Sequence, residues 1–305
     1  MGLSKKVLGV IAGVVMTAAC SPQNKAAFQS TDSASNIIGG TAVSAQDPIS
    51  FSTVQILHMT LQKDAQGRTM IKGLSTCTGT VMTNDVILTA GHCSAKDPGS
   101  LLVLFSDQIP NWKQFFATLS KNPMVRRVTG GVTAPNWAKL SNDTDVNWGD
   151  LSLLRFSGGL PQGYVPATLV PASAQLKAGM PVTLAGFGET DGVKQTPATE
   201  LMKVTVNIAD PAFSDTEIKI DNTNGTGACH GDSGGPAYVT SNGVNYLVGV
   251  TSRADVATDP KAVCVGKTIY TKVAPYLPWI SSEIQNLEGS ASYGTTIAEP
   301  DGFDQ

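Results

Sequence analysis

The sequence predicts an all-β protein that carries one helix near its C-terminus. Short apolar runs, rich in β-branched residues, recur from Ile37 onward and favour strands over long helices. Turn-forming residues separate these runs, and the 305 residues include 31 glycines and 17 prolines. Because the runs do not alternate with helical segments, a β-barrel or β-sandwich is favoured over a parallel sheet flanked by helices.

Each predicted strand is a short and mostly apolar run. In chain order, the clearest runs are residues 54–57, 79–82, 85–88, 101–105, 151–156, 182–187, 201–208, 246–250 and 269–273. The helix is predicted from Tyr276 to Leu287, because Pro278 falls in its first turn, where proline is well tolerated.

The composition limits the classes of function. Hydrophobic residues make up 41% of the chain and charged residues only 15%, which allows a substantial core. The formal net charge is −3, and no basic stretch could neutralise phosphates. Nucleic acid is therefore excluded as the main partner.

The two ends of the chain differ from its middle. Two lysines, a short apolar run and small residues predict an export signal over residues 1–19. Residues 20–36 are polar and patternless and are interpreted as a pro-segment or linker, and residues 289–305 as an acidic, disordered tail. The folded domain is expected to span residues 37–288 and to function outside the cytoplasm, where disulfides can form.

One of the five cysteines stands apart at the signal boundary. Cys20 resembles the acylated cysteine of a bacterial lipoprotein, although Thr17 stands where such sites usually carry Leu. A bacterial secreted protein or lipoprotein is therefore expected, with lipidation at Cys20 and an ordinary signal cut both open. The cysteines that could form two bridges within the domain are Cys77, Cys93, Cys229 and Cys264.

Three motifs carry residues for nucleophilic catalysis. LTAGHC contains His92, GDLSLL contains Asp150 and GDSGGP contains Ser233. A hydroxyl needs a base within hydrogen-bonding reach, and the base needs a carboxylate that fixes its tautomer. The glycines beside the serine allow a sharp turn that can direct backbone N–H groups at an oxyanion. The pattern predicts Ser233 as nucleophile, His92 as general base and Asp150 as the orienting acid, in preference to Asp143 or Asp145.

These motifs, together with IIGG from Ile37 to Gly40, resemble the trypsin-like serine peptidases of the chymotrypsin fold. The resemblance extends to about Leu287 and includes APNW, GFG and YTKV between and after the three motifs. It implies two packed six-stranded antiparallel β-barrels with a C-terminal helix, and an active site in the cleft between them. It also implies a serine endopeptidase that forms an acyl-enzyme on Ser233. No cofactor is expected, and no ligand-rich loop in the sequence predicts a metal site.

The resemblance implies two disulfides. Cys77–Cys93 would close a loop that holds His92, and Cys229–Cys264 would tie the nucleophile's loop to the wall of the substrate pocket. Relatives often carry further bridges, which this chain lacks.

The resemblance also assigns roles beside the nucleophile. The backbone N–H groups of Gly231 and Ser233 would form the oxyanion hole. After cleavage of the Asn36–Ile37 bond, the new amine of Ile37 would pair with Asp232, so the chain is expected to be a zymogen. Asn36 stands where many relatives have Arg or Lys, which leaves the activating protease open.

The substrate pocket is expected to lack an acid. Gly227 would form its floor, and without a counter-charge the pocket should prefer apolar residues to Arg or Lys before the scissile bond. Arg253 replaces an aromatic residue that is common in the family, and with His230 it leaves an acidic preference open. The expected substrate-binding residues are Gly227, Ala228, His230, Ser252, Arg253, Ala254 and Thr268.

Two other classes of function compete with the peptidase. The motif around Ser233 also fits G-x-S-x-G esterases, but their histidine follows the serine, and here no histidine does. A catalytically silent binding module on the same fold remains the alternative. The expected partners are a protein or peptide substrate, an activating protease and, through Cys20, a membrane.

Overall fold

The computed structural model of this chain describes residues 37–137, 146–255 and 264–288. The predicted export signal, the pro-segment with Cys20 and the predicted tail lie outside the described residues. The rival acids Asp143 and Asp145 also lie outside them.

The described residues are folded mainly into antiparallel strands. In chain order the strands are β1 (Thr41–Ala42), β2 (Thr53–Lys63), β3 (Thr69–Val81), β4 (Val86–Thr89), β5 (Leu101–Leu104), β6 (Val125–Thr133), β7 (Ser152–Phe156), β8 (Thr168–Leu169), β9 (Pro181–Gly186), β10 (Met202–Asp210), β11 (Glu217–Asn222), β12 (Pro236–Ser241), β13 (Val244–Ala254) and β14 (Gly266–Lys272). The helices are α1 (Trp112–Thr118) and α2 (Leu277–Glu288).

The first barrel closes in the order β2-β3-β4-β7-β6-β5. Strand β4, with the sequence VILT, is mostly apolar and all of its residues are buried, which is typical of a strand covered on both faces. Ile56 and Ile87 fill the interior, and the rings of Phe105 and Phe156 meet edge to face with centroids 5.4 Å apart.

The second barrel closes in the order β9-β10-β11-β14-β13-β12, because β9 pairs with both β10 and β12. Strand β1 extends it beside β10, and β8 pairs in parallel with β13. Its core includes Leu184, Ile220, Val250 and Tyr270. The expected fold of two six-stranded antiparallel barrels is therefore confirmed.

The predicted C-terminal helix is present as α2, which buries Leu277, Ile280 and Ile284 on one side. The prediction of a single helix was incomplete, since α1 lies between β5 and β6. This helix is only 7 residues long, too short to give a helical period, and the Asn111 side chain caps it by accepting from the N–H of Gln114. None of the helices that the structure describes is long and apolar enough to cross a bilayer.

The predicted strands are all present, but the apolar pattern missed several others. Strand β6 has the sequence VRRVTGGVT, whose arginines and glycines hide its strand character, yet it is held between β5 and β7. Strand β11 has the sequence EIKIDN and β12 begins directly after two glycines. These strands exist because neighbouring strands in the barrel satisfy their backbone groups, which the local sequence does not reveal.

Candidate active site

His92 lies in a short 3-10 turn, Gly91–Cys93, directly after β4. Its ring Nδ1 is 2.8 Å from Oδ2 of Asp150, and its backbone N–H donates to Oδ1 of the same carboxylate at 2.9 Å. A Cβ atom on Gly91 would lie 2.8 Å from the Trp137 ring, so only glycine lets this indole pack against the turn. The orientation of His92 is thus set by both oxygens of one carboxylate.

Asp150 lies in the loop just before β7 and is buried, so an unpaired charge on it would be costly. Besides the two contacts with His92, its Oδ2 accepts a hydrogen bond of 2.7 Å from the hydroxyl of Ser252. The preceding Gly149 has a φ of +60°, and a Cβ there would lie 2.9 Å from the Tyr276 hydroxyl oxygen. The loop therefore delivers the carboxylate to His92 with its oxygens satisfied.

Ser233 lies half-buried in a tight loop between β11 and β12. Gly234 has a φ of +78°, and a Cβ there would lie 2.0 Å from the hydroxyl oxygen of Thr89, so the turn requires glycine. The Ser233 carbonyl accepts from the N–H of Thr78 on β3 at 2.8 Å. This bond joins the loop of Ser233 to the barrel that carries His92.

The structure places the three predicted residues in one region, but only two of them are directly hydrogen-bonded to each other among the described residues. Among the described residues, His92 is hydrogen-bonded to Asp150 but not to the Ser233 hydroxyl. Ser233 and Ser252 line the same cavity, and Ser252 contacts Asp150. Serine–histidine bonds are often long or absent in uncomplexed peptidases and shorten when substrate binds.

Both disulfides that the resemblance implied are formed, Cys77–Cys93 and Cys229–Cys264. The first joins β3 to the turn of His92. The second joins the loop before Ser233 to the segment before β14. Such bonds are typical of an oxidising compartment and agree with a location outside the cytoplasm.

Asp232 is buried with an exposed fraction of 1%. Its oxygens accept hydrogen bonds of 2.8 Å from the N–H groups of Gly188 and Cys229. A Cβ on Gly188 would lie 2.4 Å from the carboxylate, so this approach requires glycine. Burial raises the pKa of Asp232 to about 7, because desolvation outweighs the two hydrogen bonds.

The expected activation partner of Asp232, Ile37, is buried as well. The residue after it, Ile38, forms a bridge with Gly227, whose N–H donates to the Ile38 carbonyl at 2.9 Å. The chain after the Asn36–Ile37 bond is therefore docked beside the pocket loop. In the uncut chain the nitrogen of Ile37 is a peptide amide and carries no charge.

A cavity of about 220 Å³ opens beside Ser233. Its lining among the described residues is Ala228, Cys229, His230, Ser233, Thr251, Ser252, Arg253, Ala254, Cys264, Val265, Lys267 and Thr268. This set includes every expected substrate-binding residue except Gly227, and it contains no acid.

Gly227 packs against Asn222 instead of lining the cavity. A Cβ atom on Gly227 would lie 2.1 Å from Oδ1 of Asn222. The buried Asn222 side chain donates to the hydroxyl of Thr268 at 2.6 Å and to the carbonyl of Ala228 at 3.3 Å. Sequence reasoning missed Asn222, although it follows Ile218 and Ile220 at the period of a strand and is the polar member of that inward face.

Arg253 does not act as a free positive charge. Its guanidinium forms a double hydrogen bond with Glu217, at 2.8 and 3.1 Å, and lies over the Trp148 ring at 4.1 Å. Glu217, which sequence reasoning also missed, is fully buried. His230 is exposed at the rim of the cavity and takes no part in this ion pair. Of the two residues that left an acidic preference open, only His230 therefore still supports it.

One group of side chains in the described residues has the spacing of a metal site, namely Cys77, His92 and Cys93. Its two cysteines are joined in a disulfide, and a disulfide sulfur is not a thiolate ligand. This group therefore offers no metal centre.

Comparison with known proteins agrees with this arrangement. A family model described as Trypsin matches residues 58–280. Similar proteins are CLIP domain-containing serine protease B4 of Anopheles gambiae (27% identical over 68% of this chain and 62% of its own length) and the platelet-aggregating proteinase PA-BJ of Bothrops jararaca (29% over 68% and 84%). Trypsin Tyr p 3.0101 of Tyrophagus putrescentiae is 28% identical over 73% of this chain and 75% of its own length.

The chain thus spans less than two thirds of the mosquito protein's length. All three relatives come from animals and give no support to the bacterial origin that Cys20 suggested. The match to the family model covers most of the chain and includes the motifs of His92, Asp150 and Ser233. The chain belongs to the trypsin family of serine endopeptidases.

Proposed function

We propose that this protein hydrolyses peptide bonds through an acyl-enzyme on Ser233, with His92 as general base and Asp150 as the group that orients it. The observation that carries the proposal is the double contact between Asp150 and His92. With Nδ1 directed at the carboxylate, Nε2 is the nitrogen available to a serine hydroxyl.

The reaction would proceed in two steps, acylation of Ser233 and hydrolysis of the acyl-enzyme. In the first, His92 takes the proton of the Ser233 hydroxyl while the oxygen attacks the peptide carbonyl, and it then gives this proton to the departing amine. In the second, His92 takes a proton from water while the water oxygen attacks the ester carbonyl, and it then gives this proton to the Ser233 oxygen as the bond to the acyl group breaks. The N–H groups of Gly231 and Ser233 would stabilise the oxyanion in both steps, and Asp150 would stabilise the imidazolium.

We infer that the enzyme prefers small or medium apolar residues before the scissile bond. The described lining of the cavity contains no acid to balance a substrate cation, and Lys267 would repel one. Thr268 lines the cavity and the buried Asn222 packs behind it, which favours shorter side chains. The pairing of Arg253 with Glu217 argues against an acidic preference based on Arg253.

We infer that the chain is a zymogen activated by cleavage before Ile37. The support is the buried Asp232, whose described partners are amide groups rather than a cation. A new amine at Ile37 would offset the cost of the buried carboxylate, and the pairing would order the loop that carries the oxyanion donors.

The same cleavage would release the enzyme from a membrane if Cys20 is acylated. The four cysteines of the domain are paired with each other, so no disulfide would keep residues 20–36 attached. Fractionation of cells that express the wild-type or the Ser233→Ala chain, with mass spectrometry of the N-termini, tests this. Membrane-bound protein that begins at Ile37 would contradict the release.

A fluorophosphonate probe tests the peptidase proposal directly, because it reacts with activated serines. The wild-type chain, cut before Ile37, should be labelled, and Ser233→Ala should not. Ser157→Ala, which changes an exposed serine, is the matched control and should label like wild type. A fully cut wild-type protein that remains unlabelled would favour a silent binding module on this fold.

A further inference from the structure

We propose that Glu217 and Arg253 are positioning residues, which together hold the loop that delivers Asp150 to His92. The inference rests on the proposed function, since it assigns a further role within the same site. Neither residue is expected to contact the reacting atoms. Both act through Asp150, which they reach from two directions.

The ion pair between Glu217 and Arg253 is shielded from solvent. The Glu217 side chain has an exposed fraction of 0% and that of Arg253 14%. Both carboxylate oxygens take part, since Oε1 accepts from Nη1 at 2.8 Å and Oε2 from Nη2 at 3.1 Å. A planar guanidinium and a carboxylate fix each other's orientation in this arrangement, which a lysine could not reproduce.

The same two oxygens bind the backbone of the loop before Asp150. Oε2 of Glu217 accepts from the N–H of Asn147 at 3.0 Å, and Oε1 accepts from the N–H of Trp148 at 3.2 Å. Each oxygen therefore accepts one hydrogen bond from the guanidinium group and one from a loop amide. Only Gly149 separates Trp148 from Asp150, so a shift of Glu217 would also move the Asp150 carboxylate.

The start of β11 also binds the side chain of Asn147, the loop residue with an unusual backbone conformation. Asn147 has a φ of +63°, in the left-handed region. Its side-chain oxygen accepts from the N–H of Thr216 at 3.0 Å and from its hydroxyl at 2.9 Å. Thr216 and Glu217 are adjacent, so the start of β11 binds both the side chain and the backbone of this loop.

Arg253 reaches Asp150 by a second route, through its neighbour Ser252. Nη1 of Arg253 lies 3.3 Å from the Ser252 hydroxyl oxygen, and arginine can only donate. The Ser252 oxygen therefore accepts there, which leaves its own hydrogen for Oδ2 of Asp150 at 2.7 Å. The other side of the guanidinium lies over the Trp148 ring and so braces the loop itself.

The test uses the full chain with residues 32–36 replaced by an enteropeptidase recognition sequence, so that cleavage exposes Ile37 in vitro. Glu217→Gln is the main variant, because Glu217 does not line the cavity and glutamine keeps its shape. The NH₂ group of glutamine would face a loop amide and a guanidinium, both donors, so the loop should move. The measurements are kcat, KM, the rate of fluorophosphonate labelling and the thermal midpoint.

For Glu217→Gln we expect kcat and the labelling rate to fall about tenfold or more, with KM changed by less than about threefold. Arg253→Lys keeps a positive charge beside Glu217 but loses the double contact, and it should show a smaller loss. The control is Arg155→Met, which removes an ion pair of 3.0 Å with Asp85 in the first barrel. It should lower the thermal midpoint without changing either rate.

The outcomes separate the two proposals. If cut wild-type protein neither cleaves peptides nor reacts with the probe, the proposed function fails. If wild type reacts and folded Glu217→Gln reacts at the same rate, the positioning role is overturned while the function stands. If Glu217→Gln does not fold, the test rests on Arg253→Lys. A lowered thermal midpoint with an unchanged labelling rate in that variant would show that the ion pair stabilises the fold without positioning Asp150, and would overturn the proposal.

Discussion

The side-chain amide of Asn222 donates a hydrogen bond of 2.6 Å to the hydroxyl of Thr268, which lines the cavity beside Ser233. Asn222 also occupies the space that a side chain at position 227 would need. The pair comes from β11 and β14, which are neighbours in the second barrel. Both side chains are uncharged, so this pair places no acid at or behind this part of the cavity wall.

Asn222→Ala is expected to deepen the pocket and shift the preference toward longer side chains. Each further buried CH₂ contributes about 0.8 kcal/mol and about 1.4 kcal/mol is a factor of ten, so room for roughly two more carbons should raise kcat/KM for Leu relative to Ala by about tenfold. The variant loses the hydrogen bonds that Asn222 donates to Thr268 and Ala228, so its thermal midpoint should fall, and circular dichroism checks that the fold is kept. Kinetics with peptides that differ only in the residue before the cut measure this ratio.

Thr223→Ala is the matched control for this change, because Thr223 is the exposed next residue and its hydroxyl bonds only to Asp221 among the described contacts. It should leave the preference unaltered. An unchanged ratio in Asn222→Ala would mean that Asn222 does not limit the pocket.

The cut wild-type enzyme is expected to cleave after apolar residues at least about tenfold better than after Arg or Lys, because a buried cation without a counter-charge is costly. Profiling of a random peptide library by mass spectrometry measures this. A profile dominated by Arg and Lys would refute the expectation. A profile dominated by Glu would instead point to His230 and Lys267, the basic side chains of the cavity lining that are not paired with Glu217.

Ser233→Ala is expected to abolish peptide hydrolysis, with kcat falling by about 10⁴-fold or more. His92→Ala should be nearly as damaging, and the double variant little worse, because base and nucleophile act as a unit. Circular dichroism and thermal melting would establish that the fold is kept. Losses that add up in the double variant would show that the two residues act independently, contrary to the proposed mechanism.

The free energy of unfolding of the uncut precursor is expected to fall as the pH rises from about 4 to about 7. Burial raises the pKa of Asp232 from 3.8 to about 7, so the folded chain binds this proton more tightly than the unfolded chain. The stability that the protonated form provides is complete below the unfolded pKa and is lost as the pH rises through the folded one, a loss on the order of a few kcal/mol.

Urea unfolding between about pH 4 and pH 8 measures this contribution. Both proteins compared should carry Ser233→Ala, which prevents self-cleavage, and one should also carry Asp232→Asn, which does not titrate. The stability of the Asp232→Asn protein should depend less on pH over this range. Parallel curves would mean that Asp232 is not the group responsible. After cleavage before Ile37, the new amine should favour the charged carboxylate and reverse the trend.

The order of short motifs along the chain was sufficient to predict the family, the two barrels and both disulfides. The motifs LTAGHC, GDLSLL and GDSGGP can be recognised in the sequence because their glycines lie where a larger residue would clash. At Gly91 and Gly234 a single Cβ atom would collide with Trp137 or Thr89. Apolar runs predicted most of the barrel strands for a similar reason, since a closed barrel buries one face of every strand.

The tertiary structure alone decided which polar residues surround these motifs. Asn222 reaches Thr268 across 46 positions of sequence, and Glu217 reaches Arg253 across 36. Nothing in the segment EIKIDN indicates that its first residue binds the loop before Asp150 or that its last residue packs against Gly227 and Thr268. These contacts depend on the register between β11, β13 and β14, because a shift of one residue would turn each side chain to the opposite face of the barrel.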